Sequence, residues 1–229
     1  MNLSDPAQLL DAWEAASSAP HVARGAVLAE CAGLDGALDR PVGEVAALTA
    51  RLHSALFGAA AAGLLRCGAC ATDLDCTMPL PQSMPQERDR VVDGLVVRAP
   101  SVRDLLAVRT TSDPATALFA RCVRDDEGRG VDPGTLDAQS RARAEDAAEE
   151  LAGAAATVLR TRCPDCGADV SALLDPAELL WQRVAATVPR LLAEVAELAA
   201  AYRWSEADIL ALSVVRRRAY LELARVGAR

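Results

Sequence analysis

The sequence predicts a mainly α fold of the α+β class: a helical bundle that carries a small ribbon split between two distant cysteine pairs. Three observations lead there. Hydrophobic residues make up 52% of the 229 positions but aromatics only 3%, so the core must be built from Ala, Leu and Val, a composition that favours helix over sheet. Several long stretches repeat their apolar residues every three or four positions, as a helix with one buried face does. Finally, Leu65-Arg66-Cys67-Gly68-Ala69-Cys70 and Arg162-Cys163-Pro164-Asp165-Cys166-Gly167 read almost as copies of each other.

Each of those copies is a C-x-x-C knuckle. Two thiolates at this spacing grip one side of a tetrahedral zinc ion, and two knuckles complete a four-thiolate site with no position left for water. Cys67, Cys70, Cys163 and Cys166 are therefore the expected ligands of one structural zinc per chain, and what lies between Cys70 and Cys163 is an insertion within a split zinc ribbon. Two other readings stand beside this one: chance pairing among seven cysteines, and a redox dithiol. A thioredoxin-type motif follows a strand and opens a helix, whereas both knuckles here precede short polar strand-like runs, Ala71–Asp75 and Ala168–Val170. A disulfide scaffold fits poorly, because the cysteine count is odd and the chain is long.

Three segments are expected: an N-terminal helical part at 1–63, the split ribbon with its helical insertion at 64–175, and a C-terminal helical module at 176–229. Ser4 is placed to cap a first helix through Leu9, Leu10 and Trp13, with Pro6 in its first turn. A second helix follows Pro20 and ends at Gly33. Pro41 opens a third, with Val45, Leu48, Leu52, Leu56 and Phe57 as its apolar stripe and Gly58 as its stop. His21 and His53 lack a second ligand at helical spacing and are expected to be packed or exposed, not functional.

After the first knuckle, Cys76 is a bystander, and the three prolines of Thr77–Arg88 suggest an exposed loop. Val91–Arg98 is the strongest strand signal, a hairpin turning at Asp93-Gly94. Ser101 with Asp104 makes a short capping box, a helix covers Ala115–Val123, and Asp125–Gly130 reads as a solvated loop. Cys31 and Cys122 read as apolar core residues. A charged, alanine-rich helix spans about 136–153 and a strand enters the second knuckle. Asp175-Pro176 then starts the longest helical stretch, which interior Pro189 should interrupt. Ser205 and Ser213 cap two short helices at the end.

Charge narrows the function. The net charge is −8, and every one of the 24 basic residues is Arg. An acidic chain is poorly suited to coating a phosphate backbone. The knuckles add little basic character, with Arg66, Arg160 and Arg162 set among Asp73, Asp75, Asp165 and Asp169. No run approaches the length of a membrane span, and Met1–Asp5 has neither a basic n-region nor an apolar h-region, so a soluble, cytoplasmic protein is expected. There is no nucleophile elbow, glycine-rich phosphate loop or H-E-x-x-H, and hence no expected enzymatic activity or small-molecule substrate.

The stretch Tyr202-Arg203-Trp204-Ser205-Glu206-Ala207-Asp208-Ile209-Leu210-Ala211-Leu212-Ser213, followed by Arg216-Arg217-Arg218-Ala219-Tyr220-Leu221, resembles the T-even-type baseplate hub assembly chaperone, or baseplate protein, family of contractile phage tails and phage-like injection systems. The likeness extends to the Leu9–Trp13 helix, to Ala55-Leu56-Phe57-Gly58 and to the knuckles. The family's C-P-x-C-G pattern is met at Cys163–Gly167, while the first knuckle lacks both its Pro and its Gly. The resemblance implies a non-enzymatic chaperone or small structural component of a bacterial or phage-encoded baseplate, with tail subunits as partners and with incorporation into the particle as one outcome.

Residues 176–229 hold the widest apolar face, and with eight Arg against six acidic residues they are the one net basic segment. They are therefore the expected docking module, with Trp204, Ile209 and Leu210 toward the partner and Arg216, Arg217 and Arg218 steering association. For Trp204 the competing expectation is packing across the joint between helices. The alternative function is a zinc-ribbon regulator that binds nucleic acid.

Overall fold

The computed structural model describes residues 2–227. It is 56% helix and 17% strand, an α+β fold in which helix dominates. Three helices open the chain: α1 (Pro6–Ser18), α2 (Arg24–Cys31) and α3 (Val42–Phe57). The hairpin β1 (Ala60–Arg66) and β2 (Asp73–Pro79) holds the first knuckle at its tip. Next come β3 (Asp89–Val92), β4 (Leu95–Arg98), α4 (Val102–Val108), α5 (Pro114–Cys122), β5 (Val123–Arg124) and α6 (Ala138–Ala152). A second hairpin, β6 (Val158–Arg162) and β7 (Asp169–Leu173), holds the second knuckle. The chain ends in α7 (Pro176–Tyr202), α8 (Glu206–Leu210) and α9 (Val214–Gly227).

The two ends of the chain share one core. Leu9 and Leu10 of α1, Leu28 of α2, the stripe Leu180, Val184, Val188, Leu191, Val195 and Leu198 of α7, and Ile209, Leu210 and Leu221 pack together. The segments 1–63 and 176–229 are thus layers of a single helical body. The α7 stripe keeps spacings of three or four residues across Pro189, and the helix runs unbroken through that exposed proline. The interruption expected from sequence does not occur: Pro189 leaves one carbonyl of the preceding turn without its helical donor but does not end the helix.

The insertion has a smaller core of its own. Asp93 and Gly94 turn the β3–β4 hairpin with positive φ at both positions, as a type I′ turn requires. A third strand, not expected from sequence, comes from the end of the α5 pattern: Val123 leaves the helix and pairs with Val97 as β5. Both valines are fully buried against Ala144, Ala147 and Leu151 of α6. The capping box of α4 does more than cap. The buried Asp104 carboxylate accepts from Ser101, from Arg98 Nη1 at 2.6 Å and from Arg121 Nε at 2.8 Å, tying β4, α4 and α5 together. Burial pushes the Asp104 carboxyl up, but Arg98 and the Ser101 hydrogen bonds outweigh it and hold the group far below the usual carboxylate range.

Three further expectations are corrected. Asp5, not Ser4, caps α1, its Oδ1 accepting from the Ala7 and Gln8 amides. In α3 the fully buried positions are mostly small, with Ala46, Ala47, Thr49 and Ala50 beside Val45, while the expected Leu48, Leu52, Leu56 and Phe57 are half-buried. The helix is clasped on several sides, by α2, by α7 and by the turn after α6, so close approach matters more than one wide stripe. Thr77–Pro79 belong to β2, and Met78 and Leu80 are buried against Ala50, Ala61 and Leu174. The alternation Leu74, Cys76, Met78 marked this strand, and the prolines that follow obscured it. His53 is packed, as expected: it is 1% exposed, and neither ring nitrogen has a hydrogen-bond partner among the described residues. Burial first, and then the Arg183 charge, lower its pKa, which keeps the ring neutral.

Candidate metal centre

Both knuckles arise from the same local rule. A two-stranded hairpin must reverse its chain, and here each does so over four residues closed by two backbone hydrogen bonds. In the first, the Cys67 amide donates to the Thr72 carbonyl and the Ala71 amide to the Cys67 carbonyl, both at 2.9 Å. In the second, the Cys163 amide donates to the Ala168 carbonyl and the Gly167 amide to the Cys163 carbonyl, again both at 2.9 Å. Ala71 and Gly167 occupy the same left-handed conformation, at φ 60° and 72°. The flanks match as well: Arg66 pairs with Asp73 and Arg162 with Asp169, each across the base of its turn.

The turns bring four thiols together from positions 93 or more residues apart. All four Sγ atoms lie within 4.8 Å of one another. Cys67 Sγ is 3.7 Å from Cys166 Sγ, and Cys70 Sγ is 3.5 Å from Cys163 Sγ. The first thiol of each knuckle is buried and the second exposed, so each buried sulfur faces an exposed one across the cluster. Four thiolates around an ion with metal–sulfur bonds of about 2.3 Å form a tetrahedron with edges of about 3.8 Å. The observed separations fit that figure, and the cluster can hold one metal ion.

Electrostatics point the same way. The Thr72 hydroxyl and amide, with the neighbouring thiols, lower the Cys70 pKa to about 6. At Cys166 the Ala168 amide favours the thiolate, yet Cys70, Cys163 and Cys67 outweigh it and push the thiol up to about 12. One thiolate forms readily and suppresses the next, as like charges at this distance must. A divalent cation would remove that conflict. Beneath the sulfurs lies a thin apolar layer of Leu74 and Val170, which take equivalent places in the two hairpins.

Among the described residues one hydrogen bond bridges the knuckles without sulfur. Thr72 Oγ1 lies 3.3 Å from Cys70 Sγ and donates to Asp165 Oδ2 at 2.7 Å. Sequence reading missed this pair, since nothing local joins residues so far apart. Cys76 is outside the cluster, in β2 opposite Gly63. Cys122 is buried as expected, its thiol pushed up to about 11 by that burial, while Cys31 is only half-buried at the edge of the body's core.

The residues expected to meet a partner divide. Ile209 and Leu210 are 0% and 7% exposed and belong to the protein's own core, which corrects their partner-facing assignment. Trp204 packs across the α7–α9 joint, stacked on Tyr202 at 4.7 Å and edge-on to Tyr220 at 4.9 Å. The Tyr202 hydroxyl donates to the Tyr220 carbonyl beneath it. Arg217 is buried and paired with Glu194, whereas Arg216 and Arg218 are exposed. Val214 and Val215 are also exposed, the latter at 79%. Among the described residues no helix is long and apolar enough to cross a membrane. The chain matches no protein family, no curated protein and no solved structure.

Proposed function

We propose that this chain is a non-enzymatic protein of a contractile phage tail or phage-like injection system, acting in the bacterial or infected-cell cytoplasm as a baseplate assembly chaperone or a small baseplate component. In this reading the four cysteines hold one structural zinc, the two hairpins form a split zinc ribbon, and the helices form a bundle that the ribbon clasps. The observation that carries it is the closed four-thiol cluster: every ligand position is taken by sulfur, so the metal has no open site for water or substrate. Zinc is favoured among thiophilic metals because an all-thiolate tetrahedral site suits it and because a structural clasp needs no redox chemistry.

The baseplate assignment rests on the resemblance of Tyr202–Leu221. The acidic surroundings of the knuckles favour a protein partner over nucleic acid, since Asp73 and Asp169 neutralise the arginines that would otherwise face a phosphate backbone. Metal analysis of protein purified under reducing conditions should find one zinc per chain and no iron. Co-expression with the neighbouring baseplate genes should recover a stoichiometric complex. Failure to recover one, with a mobility shift on nucleic acid at low salt, would replace this reading with the zinc-ribbon regulator.

A further inference from the structure

A cavity of about 470 Å³ opens where the start of α1, the end of α3, the middle of α7 and the start of α9 meet. Its wall combines two chemistries. Leu56, Phe57, Leu191 and Val214 line one part. Arg190, Arg217 and Arg218 line the other with Glu194 as the one acid, three cations against one carboxylate for a net charge of +2. The whole chain carries −8, so this is a local reversal of sign.

Arg217 marks the cavity as more than a surface dent. Its side chain is 6% exposed, and its Nε donates to Glu194 Oε2 at 2.7 Å. Its Nη1 is buried with no hydrogen-bond partner among the described residues. A buried guanidinium nitrogen without an acceptor is a costly arrangement, and a small shift of the side chain that opens it to the cavity would let an incoming oxygen relieve it. Arg190 and Arg218 are exposed beside it. Guanidinium groups are planar forks that match a carboxylate.

We infer that this cavity binds a short segment of a partner protein in which a glutamate or aspartate is next to a leucine-sized apolar side chain. The carboxylate meets the arginines and the apolar group covers Leu56, Phe57 and Val214. A free inorganic anion would satisfy the arginines but leave the apolar wall bare, which is why a peptide fits better. The inference rests on the reading of this chain as a protein-docking factor, and it supplies the chemistry by which docking occurs.

The test is an NMR titration of the full chain with the capped tetrapeptides Ac-Ala-Leu-Glu-Leu-NH2 and Ac-Ala-Leu-Gln-Leu-NH2, and with inorganic phosphate. The glutamate peptide should bind with a dissociation constant on the order of 1 mM, shifting the methyls of Leu56 and Val214. The glutamine peptide should bind roughly tenfold more weakly. Because Arg190 and Arg218 are exposed, Arg190→Gln with Arg218→Gln should leave the melting temperature unchanged and weaken the glutamate peptide by a similar factor. Equal binding of the two peptides, or shifts elsewhere on the protein, would overturn the inference. So would phosphate saturating the cavity as readily as the glutamate peptide. Peptide binding here without recovery of any baseplate complex would keep the cavity and remove the baseplate role. A baseplate complex indifferent to the double substitution would do the reverse.

Discussion

The cysteine clasp and the helical body are held by different means. The body buries Leu180, Val184, Val188, Leu198 and Ile209 completely or nearly so, along with many partly buried neighbours. The tip of the clasp buries only two cysteines, Leu74 and Val170, on two-stranded hairpins, while the base of the first hairpin packs Ala61 and Met78 against the body. An isolated two-stranded hairpin is marginal in water, and four buried side chains do not change that. The body therefore stands on its apolar faces, and the clasp needs a bond of another kind where its apolar layer runs out. The four-cysteine cluster sits at that place.

The largest expected effect tests this division. Cys163→Ser, or stripping with a strong chelator, should release the metal and open both hairpins, because the ligands come together only in the folded state. The far-UV signal of helix should fall little, since the helices bury their own faces. Amide exchange should accelerate in residues 60–79 and 158–173 far more than in α7. Global unfolding of the helices on chelation would break the comparison by making the clasp the keystone of the whole fold.

The second effect is smaller and lies on the other side. Trp204→Ala removes the ring stacked between Tyr202 and Tyr220 and should cost about 2–3 kcal/mol, toward the low end for aromatic truncation because the ring is half-buried. Metal content should stay at its wild-type value. If the melting temperature is kept and a partner is lost, the ring serves an interface and not the joint.

How much of this was legible in the sequence follows the same division. The ligand set could be read because its chemistry is local: four cysteines at fixed spacing within two short matched turns. The α7 stripe could be read because a long helix repeats its pattern. What escaped depended on distant context. Val123 fits a helix pattern until Val97 offers it a strand edge. Ile209 and Leu210 look like spare apolar surface until α1 and α7 are known to cover them. Met78 and Leu80 sit among prolines that signal exposure, yet Ala50 and Leu174 close over them. The small buried face of α3 gave no stripe to read, because alanines do not stand out in a chain this rich in them.

The two knuckles sharpen the comparison at about 1 kcal/mol. Ala71 adopts a left-handed conformation that costs an L-residue roughly 1–2 kcal/mol, while Gly167 adopts its counterpart freely. Ala71→Gly should therefore slow metal release to a chelator, and Gly167→Ala should hasten it, with smaller changes in the melting of the body. Equal and opposite changes would show that the two turns contribute independently to one site. A large effect from only one of them would show that one knuckle forms first and templates the other.

The smallest effect isolates the hydrogen bond that joins the knuckles without sulfur. Thr72 Oγ1 donates to Asp165 Oδ2 at 2.7 Å, and the bond lies at the exposed side of the cluster, so water competes for both partners. Its net worth should be about 0.5–1 kcal/mol, which corresponds to a two- to fivefold faster loss of metal in Thr72→Val. Two contributions could produce such a change: the hydrogen bond itself, and the Asp165 charge acting on a thiolate cluster of like sign. Asp165→Asn separates them, because the amide keeps an oxygen for the Thr72 hydroxyl and discards the charge. If the hydrogen bond dominates, Asp165→Asn should release metal nearly as slowly as wild type, while Thr72→Val is faster. If charge dominates, the carboxylate works against the thiolates, and Asp165→Asn should hold the metal longer than wild type does. The second outcome would mean that this hydrogen bond adds nothing to the sulfurs and the apolar layer beneath them, and that Thr72 only keeps Asp165 from swinging toward the cluster.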